Sequence, residues 1–335
     1  MLFVPRGGRI FVHGMGETST AERYRKFGEM EARGHSPSYE QLCMGVGADD
    51  KLLALVDTLP AAKRQPNLLF GAVRFLGGPV HDYEAFRIWV LEHWAEVSSE
   101  MLARSTQTNE PGRCATLLPL LARLPQPLAL IEVGASAGLC LFPDRYTYRF
   151  DDRPALGPVG PVMLTCRTSG VVPIPQQVPS VVWRAGIDLN PLDVADADHL
   201  RWLEALVWPE QQDRLVRLRA ATQIARAEPP HLVQGDLNVT IAGLVGQAPP
   251  DATLVVFHSA VLAYLPQDER DRFVETMRGL PARWISNEAP TVLPGVAARL
   301  TRSPSTDRSA FVLALDEEPV AFTGPHGQFL DWLPE

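Results

Sequence analysis

The sequence contains very little lysine. Of its 31 basic residues only Lys26, Lys51 and Lys63 are lysines, and every later basic residue is arginine. A P-loop requires a lysine in the pattern GK[ST]. A short-chain dehydrogenase requires a Tyr and Lys pair beyond its glycine-rich turn. Because no lysine follows Lys63, both nucleotide-binding classes are excluded.

Cysteine and long apolar runs are also scarce. The four cysteines are far apart, no CxxC or HxxxH spacing occurs, and the sequence therefore predicts neither a metal site nor a disulfide framework. The apolar run at 128–142 is interrupted by Glu132, and the first 16 residues are interrupted by Arg6 and Arg9. We expect a soluble, cytoplasmic protein with no membrane partner.

Positive charge is in deficit, with a formal net charge of −8 and a pI near 5.5. Binding to nucleic acid depends on clustered basic residues, so this charge disfavours nucleic acid as a partner. We expect a small molecule instead. The 335 residues, 46% hydrophobic and 21% charged, are typical of a folded protein with one large or two ordinary domains.

The hydrophobic pattern changes at Pro127. Residues before it have helical periodicity, whereas strand-length apolar runs alternate with helices after it. This alternation predicts an α/β domain with a mostly parallel sheet. We therefore expect an N-terminal extension over 1–17, an all-helical cap domain over 18–126, and an α/β domain over 127–335. Its last strands are predicted to form an antiparallel hairpin, and a β arm is predicted at about 151–179.

The segment LALIEVGASAGL, residues 128–139, predicts a strand, a glycine turn and a helix start. Glycines there permit a tight turn and close approach of a ligand to the backbone. One interpretation is a serine hydrolase, because Gly134, Ser136 and Gly138 form GxSxG and HGMG at 13–16 is similar to an oxyanion loop. That interpretation needs Asp236 or Asp316 with His326. However, a nucleophile elbow normally follows several strands of its own sheet, whereas the residues between HGMG and GASAG are predicted to be helical. This order disfavours the hydrolase.

The second interpretation is an S-adenosylmethionine-dependent methyltransferase with a Rossmann-like sheet. Glu132 opens ExGxxxG, Asp188 ends the strand SVVWRAGID, and Asp236 and His258 follow two later strands. In that order Asp188 would accept two hydrogen bonds from the ribose hydroxyls, with Asp151 as the rival position. The predicted cofactor-binding residues are Glu132, Gly134, Ala135, Ser136, Gly138, Asp188, Asp236 and His258.

Several longer segments, among them QTNEPGRCATLLPLL, IEVGASAGLCLFPDRYTYRF and VVFHSAVLAYLP, resemble an uncharacterised bacterial family, domain of unknown function 2332. The resemblance extends from about Ala21 to the C-terminus. It implies a methyltransferase-like fold and assigns no substrate, so a non-catalytic binding or scaffold protein is a further alternative.

Methyl transfer to an activated sulfonium requires alignment of the acceptor and exclusion of water rather than a covalent nucleophile. The candidate residues are therefore polar side chains at strand ends and in QTNEPGR. The predicted catalytic residues are Asn109, Glu110, Arg113, His258, Asn287 and Glu288. The alternative for QTNEPGR is a capped loop between two helices, and the alternative for Asn287 and Glu288 is a helix cap or a turn. We expect these residues to share a pocket for a small, amine-bearing or zwitterionic acceptor.

Overall fold

A computed structural model describes residues 19–107, 109–304 and 309–334, so the HGMG segment and the predicted extension lie outside the described residues. Two compact units are present. The helical unit contains the described residues of 11–108 and 195–216, and the sheet unit contains those of 109–194 and 217–335. This division differs from the predicted boundary at Pro127: residues 109–126 cluster with the sheet, and 195–216 cluster with the helices.

Seven helices lie wholly within the described part of the helical unit. They are α1 Thr20–Phe27, α2 Pro37–Val46, α3 Asp50–Val56, α4 Pro66–Phe75, α5 Tyr83–Glu92, α6 Trp94–Ala103 and, later in the chain, α8 Ala197–Leu206. Polar side chains begin several of them: Ser36, Asp49 and Asp82 each accept a hydrogen bond from a backbone N–H in the first turn of the following helix. This pairing satisfies donors that a helix start leaves free.

The core of the helical unit is aromatic. The ring of Phe70 on α4 contacts the rings of Tyr24, Tyr39 and Phe86, with centroids 4.8 to 6.1 Å apart. All four side chains are at most 1% exposed. The apolar periodicity of the sequence therefore packs helix against helix in this unit.

The described part of the sheet unit contains ten strands. They are β1 Leu128–Val133, β2 Thr147–Phe150, β3 Met163–Ser169, β4 Val181–Asp188, β5 His231–Gln234, β6 Thr253–Ser259, β7 Arg283–Glu288, β8 Phe311–Leu315, β9 Glu318–Thr323 and β10 Phe329–Trp332. Four further helices lie wholly within it: α7 Arg113–Leu121, α10 Leu237–Val245, α11 Gln267–Gly279 and α12 Pro294–Ala297. The helix α9, Gln212–Ala227, crosses the boundary between the units.

The strands form a single sheet in the order β2-β3-β10-β9-β8-β7-β6-β1-β4-β5. Neighbours from β7 to β5 are parallel, and so are β2, β3 and β10, whereas β7 to β10 pair antiparallel in the sequence β7-β8, β8-β9 and β9-β10. The fold is thus mixed α/β with a mostly parallel sheet, and the last strand runs opposite to β7.

One face of the parallel strands is covered by α10, α11 and α12. Ile131 of β1, Val256 of β6 and Trp284 of β7 pack there with Ile241 and Phe273 from the helices. Side chains alternate between the two faces along a strand. The other face at the ends of these strands therefore carries a different set of residues, which includes Glu132.

Two local predictions differ from the structure. The segment at 151–179 contains the strand β3, which pairs with β2 and β10 in the main sheet rather than forming a separate β arm. The helix expected after the glycine turn is a 3-10 turn over Leu139–Leu141. Pro143 follows two residues after this turn, and a proline lacks the N–H that a continuing helix needs. Among the described residues, no helix combines the length and apolarity that a membrane span requires.

Candidate functional site

The glycine turn, Gly134–Gly138, follows β1 at the point where the strand order reverses between β1 and β6. Gly134, Ser136 and Gly138 have φ values of 71°, 51° and 70°. A Cβ on Gly134 would lie 2.4 Å from Cγ2 of Val261, so glycine is required there by packing as well as by φ. Ligands of open α/β sheets bind at the carboxyl ends of strands beside such a reversal.

Asn109 holds the turn in this conformation. Its Nδ2 donates to the carbonyl of Ala135 at 2.6 Å, and its Oδ1 accepts from the N–H of Leu139 at 3.0 Å. The amide is buried, with 9% of the residue exposed. The structure therefore brings the predicted residue Asn109 onto the turn, where it orders the backbone through two hydrogen bonds.

Asp188 ends β4, the strand beside β1, and also contacts the turn. Its Oδ2 accepts from the N–H of Ser136 at 2.7 Å and its Oδ1 from the N–H of Asn190 at 2.8 Å. The rival position, Asp151, follows β2 at the far edge of the sheet and binds Thr168. Of the two carboxylates, Asp188 is therefore the one that contacts the glycine turn.

Glu132 lies one residue before the end of β1, 7% exposed, and its Oε2 has no hydrogen-bond partner among the described residues. Burial raises the pKa of this carboxyl well above its usual range, the Cys140 thiol raises it further, and Arg113 opposes the shift. The Oγ of Ser136, 2% exposed, likewise has no partner among the described residues. Unpaired buried polar atoms of this kind require an explanation such as a ligand.

Asp236, predicted to bind the cofactor, is the N-cap of α10. Its side chain accepts from the N–H of Asn238 at 2.8 Å, and the residue is exposed. A capping carboxylate keeps its second oxygen for another donor. Asp236 therefore caps α10, and it could bind a cofactor only in addition to this capping bond.

His258 is fully buried in a network with Trp284 and Glu288. The indole Nε1 of Trp284 donates to Nε2 of His258 at 3.0 Å, and Nδ1 of His258 lies 2.7 Å from Oε1 of Glu288. Because an indole N–H can only donate, Nε2 carries no proton and Nδ1–H donates to the carboxylate. Both nitrogens are occupied, so the network leaves His258 no free atom for an acceptor.

Glu288 connects this histidine network to the chain after β6. Its Oε1 also accepts from the N–H groups of Val261 and Leu262, at 2.9 and 3.0 Å. Its Oε2 is buried and has no partner among the described residues. The side chain therefore orders the connection after β6 through one oxygen and keeps a second acceptor.

Strand alternation separates two of the predicted neighbours. His258 contacts the ring of Phe273 on the face covered by α11. Asn287, one residue out of phase with Glu288, donates through Nδ2 to Oγ of Ser259 at 2.9 Å and accepts from Oγ1 of Thr323 at 2.7 Å. A single face cannot carry both Asn287 and Glu288. The predicted pocket shared by Asn287, Glu288 and His258 therefore does not form as one constellation.

Glu110 and Arg113 bind groups in the chain segments near the glycine turn. Oε1 of Glu110 accepts from the N–H of Gly112 and from Nε of Arg217, both at 2.8 Å. Glu110 is 2% exposed, so this ion pair is largely buried on the carboxylate side. The predicted residue is thus paired with Arg217, which sequence reasoning missed because nothing in the pattern of α9 distinguishes this arginine from its neighbours.

Arg113, also buried, donates through Nε to the carbonyl of Pro325 and through Nη1 to that of Ser259, both at 3.0 Å. It joins the start of α7 to the end of β6 and to the turn before β10. Sequence reasoning also missed Trp284, although its position four residues before Glu288 places both on one strand face. That signal was available.

No group of three or more His, Cys, Asp or Glu side chains among the described residues is arranged to hold a metal ion. A family described as "Uncharacterized protein conserved in bacteria (DUF2332)" matches residues 21–332 of the chain. Neither the curated proteins nor the solved structures contain a match to it.

Proposed function

The chain belongs to the DUF2332 family of bacterial proteins, and we propose that it is an S-adenosylmethionine-dependent methyltransferase with a small-molecule acceptor. The observation that carries the proposal is the pairing of the glycine turn after β1 with the carboxylate at the end of β4. Ser136 N donates to Asp188 at the reversal of strand order. In open α/β sheets this position binds nucleotide cofactors.

The order of the parallel strands supports a Rossmann-like interpretation. From the edge inward, β5, β4 and β1 are followed by β6 and β7. Counted along the chain within this set, the order is 3-2-1-4-5, as in doubly wound nucleotide-binding sheets.

The residues at the turn suit this cofactor. The unpaired Oε2 of Glu132 would accept from the cofactor's ammonium group, because a buried carboxyl with a raised pKa is stabilised in its charged form by a cation. Asp188 would accept from the ribose hydroxyls, because each carboxylate oxygen can accept more than one hydrogen bond and its two backbone donors already fix its orientation. Gly134 is half-buried, so its backbone remains accessible.

The turn is less suited to a dinucleotide. A pyrophosphate is normally bound by the free N–H groups at the start of a helix after the glycine turn. Here Leu139 N donates to Asn109, and a 3-10 turn replaces the helix. S-adenosylmethionine has no phosphate, so its binding does not depend on that helix.

When bound, the cofactor supplies an activated methyl group on a sulfonium, and the chain has to align an acceptor and exclude water. Asn109 and Asp188 fix the turn, and the almost complete burial of residues 135–141 excludes water from its inner side. Ser259 and Asn287 lie on the same face as Glu132 at the ends of β6 and β7. The Ser259 hydroxyl, which accepts from the Asn287 amide, would donate its own O–H to orient the acceptor.

Two features favour the serine hydrolase instead: the positive φ of Ser136 and its unpaired Oγ. A nucleophilic serine needs a base, and His326, the histidine that this interpretation requires, lines a cavity beside β2 and β3 whose lining does not include Ser136. The required acids have other partners, since Asp236 caps α10 and Asp316 binds Arg283 and Trp284 N. The methyltransferase proposal therefore expects no reaction of Ser136 with a fluorophosphonate.

Calorimetric titration of the purified chain with S-adenosylhomocysteine, the demethylated product, tests the proposal. We expect saturable one-to-one binding, with NAD as a control that does not bind. Silence at about millimolar product, equivalent to less than about 4 kcal/mol of binding free energy, would refute it. Stoichiometric fluorophosphonate labelling of Ser136, lost in His326→Ala, would establish the hydrolase.

A further inference from the structure

The sheet unit contains a cavity of about 350 Å³ on the side of β2 and β3. Its lining includes Gly112, Arg149, Asp151, Arg167, Arg217 and His326. We propose that this arginine cavity binds the carboxylate or phosphate group of a small anionic molecule. The inference rests on the proposed function only in taking that molecule to be the methyl acceptor.

Two of the arginines have no acidic partner. Arg149 and Arg167 are exposed, and neither side chain has a hydrogen bond or ion pair within the described part of the chain. Many other arginines of this unit do: Arg278 pairs with Glu317, and Arg283 pairs with Asp316. The guanidinium donors of the cavity are therefore available to an incoming oxyanion.

Strand register places these two side chains on one face. Arg149 of β2 is the direct partner of Thr165 of β3, and Arg167 follows Thr165 by two residues. Residues two apart on a strand share a face. Tyr148, next to Arg149, is buried on the opposite face. The register thus directs both guanidinium groups and the Thr165 hydroxyl into the same space.

The acidic groups beside the cavity do not neutralise it. Asp151 accepts from the N–H of Thr168 at 2.8 Å and from its hydroxyl, and these bonds lower the pKa of the carboxyl. Glu110 is paired with Arg217. Three arginines therefore face two occupied carboxylates, which leaves excess positive charge in a chain whose net charge is −8. A concave positive site of this kind attracts anions.

The volume and position suit a small molecule. A cavity of about 350 Å³ lies at the lower end of the range for small-molecule sites. Gly112 lines it, and Asn109, three residues earlier, binds the glycine turn. Their Cα atoms are at most about 11 Å apart, because consecutive Cα atoms are 3.8 Å apart. One short segment thus contacts both the cavity and the proposed cofactor turn.

The test is the thermal unfolding midpoint of the full chain in inorganic phosphate or malonate, with sodium chloride at equal ionic strength as the reference. We expect the midpoint to rise with the concentration of phosphate, of malonate or of both, since an anion that binds the folded state stabilises it. The anion that raises the midpoint more identifies the preferred group. Arg149→Gln and Arg167→Gln should each require at least about tenfold more anion for the same rise.

Arg272→Gln is the matched control, because Arg272 is an exposed arginine of α11 that has no acidic partner among the described residues and lies outside the cavity. It should respond as the wild type does. Equal midpoints in chloride and in both anions would overturn the proposal, as would an equal loss of response in Arg272→Gln. Product binding is measured on the same variants: if product fails to bind while the anion response persists, the proposed function fails and the anion site stands.

Discussion

The two faces of the sheet at the ends of β1, β6 and β7 use polar side chains in opposite ways. On the face of the glycine turn, Glu132 and Ser136 each keep a buried atom without a partner among the described residues. On the opposite face, both nitrogens of His258 are bonded, to Trp284 and Glu288, and within this network only Oε2 of Glu288 has no partner in the described part of the chain. Unused hydrogen-bonding capacity indicates where a ligand can bind, whereas a fully bonded side chain such as His258 indicates a structural role.

The largest expected effect concerns the histidine network. His258→Ala should lower the free energy of unfolding by about 3 to 5 kcal/mol, because it creates a cavity and leaves the Trp284 N–H and the Glu288 carboxylate without their partner. Chemical denaturation measures this change. His231→Ala, at an exposed histidine of β5, is the control and should have little effect. Unchanged stability of His258→Ala combined with lost turnover would instead make His258 catalytic.

On the face of the glycine turn, we expect the largest loss of cofactor affinity from a substitution of Asp188. Asp188→Ala removes charge-assisted hydrogen bonds to the proposed ribose, so the affinity for S-adenosylhomocysteine should fall by about 1.5 to 3 kcal/mol, or roughly 10- to 150-fold. Calorimetry measures it, and Asp151→Ala should leave the affinity unchanged. The opposite ranking of the two variants would transfer the ribose role to Asp151.

The buried carboxyl of Glu132 should make the free energy of unfolding depend on pH. Its folded pKa is raised by burial, so its contribution is complete below the unfolded pKa of about 4.3 and is lost as the pH rises towards the folded value. Glu132→Gln lacks this loss. Relative to wild type it should gain up to about 1.4 kcal/mol of unfolding free energy per pH unit above that point.

Denaturation at a series of pH values checks this slope. Asp251→Asn, at an exposed carboxylate of the same unit, should show no such gain. A flat difference between Glu132→Gln and wild type from acid to neutral pH would mean that Glu132 is ionised and paired in the folded chain.

The smallest effect concerns Asp236, which distinguishes a cap from a ligand contact. Asp236→Ala should lower the free energy of unfolding by about 1 kcal/mol, and Asp236→Ser should recover most of it, because serine also caps helices. The proposal expects both variants to bind S-adenosylhomocysteine more weakly. Wild-type affinity in Asp236→Ser would leave Asp236 with capping alone.

The strands could be predicted because their patterns are local. The apolar run at 128–133 is β1 to the residue, and the runs near 181, 253, 283 and 311 are each a strand within one or two residues. Buried strands and amphipathic helices can be recognised from their composition and from the spacing of their apolar residues. The mixed α/β class with a mostly parallel sheet followed from their alternation.

The site was harder to predict because it depends on which side of a strand each residue occupies. Proximity to a strand end suggested that His258, Asn287 and Glu288 act together, but a shift of one residue changes the face. The hydrogen-bond partner of a polar side chain is also hard to predict from sequence. Strand alternation could have placed Trp284 on the face of Glu288, but nothing local predicts that Arg217 binds Glu110.

Hydrogen exchange of the full chain with and without S-adenosylhomocysteine compares the two faces most directly. We expect product to protect the backbone amides of the glycine turn and of residues 186–190. The amides of Val261 and Leu262, which follow β6 and donate to Glu288, should keep their exchange rates. Protection of Val261 and Leu262 without protection of the turn would contradict it, because the ligand would then occupy the face of the histidine network.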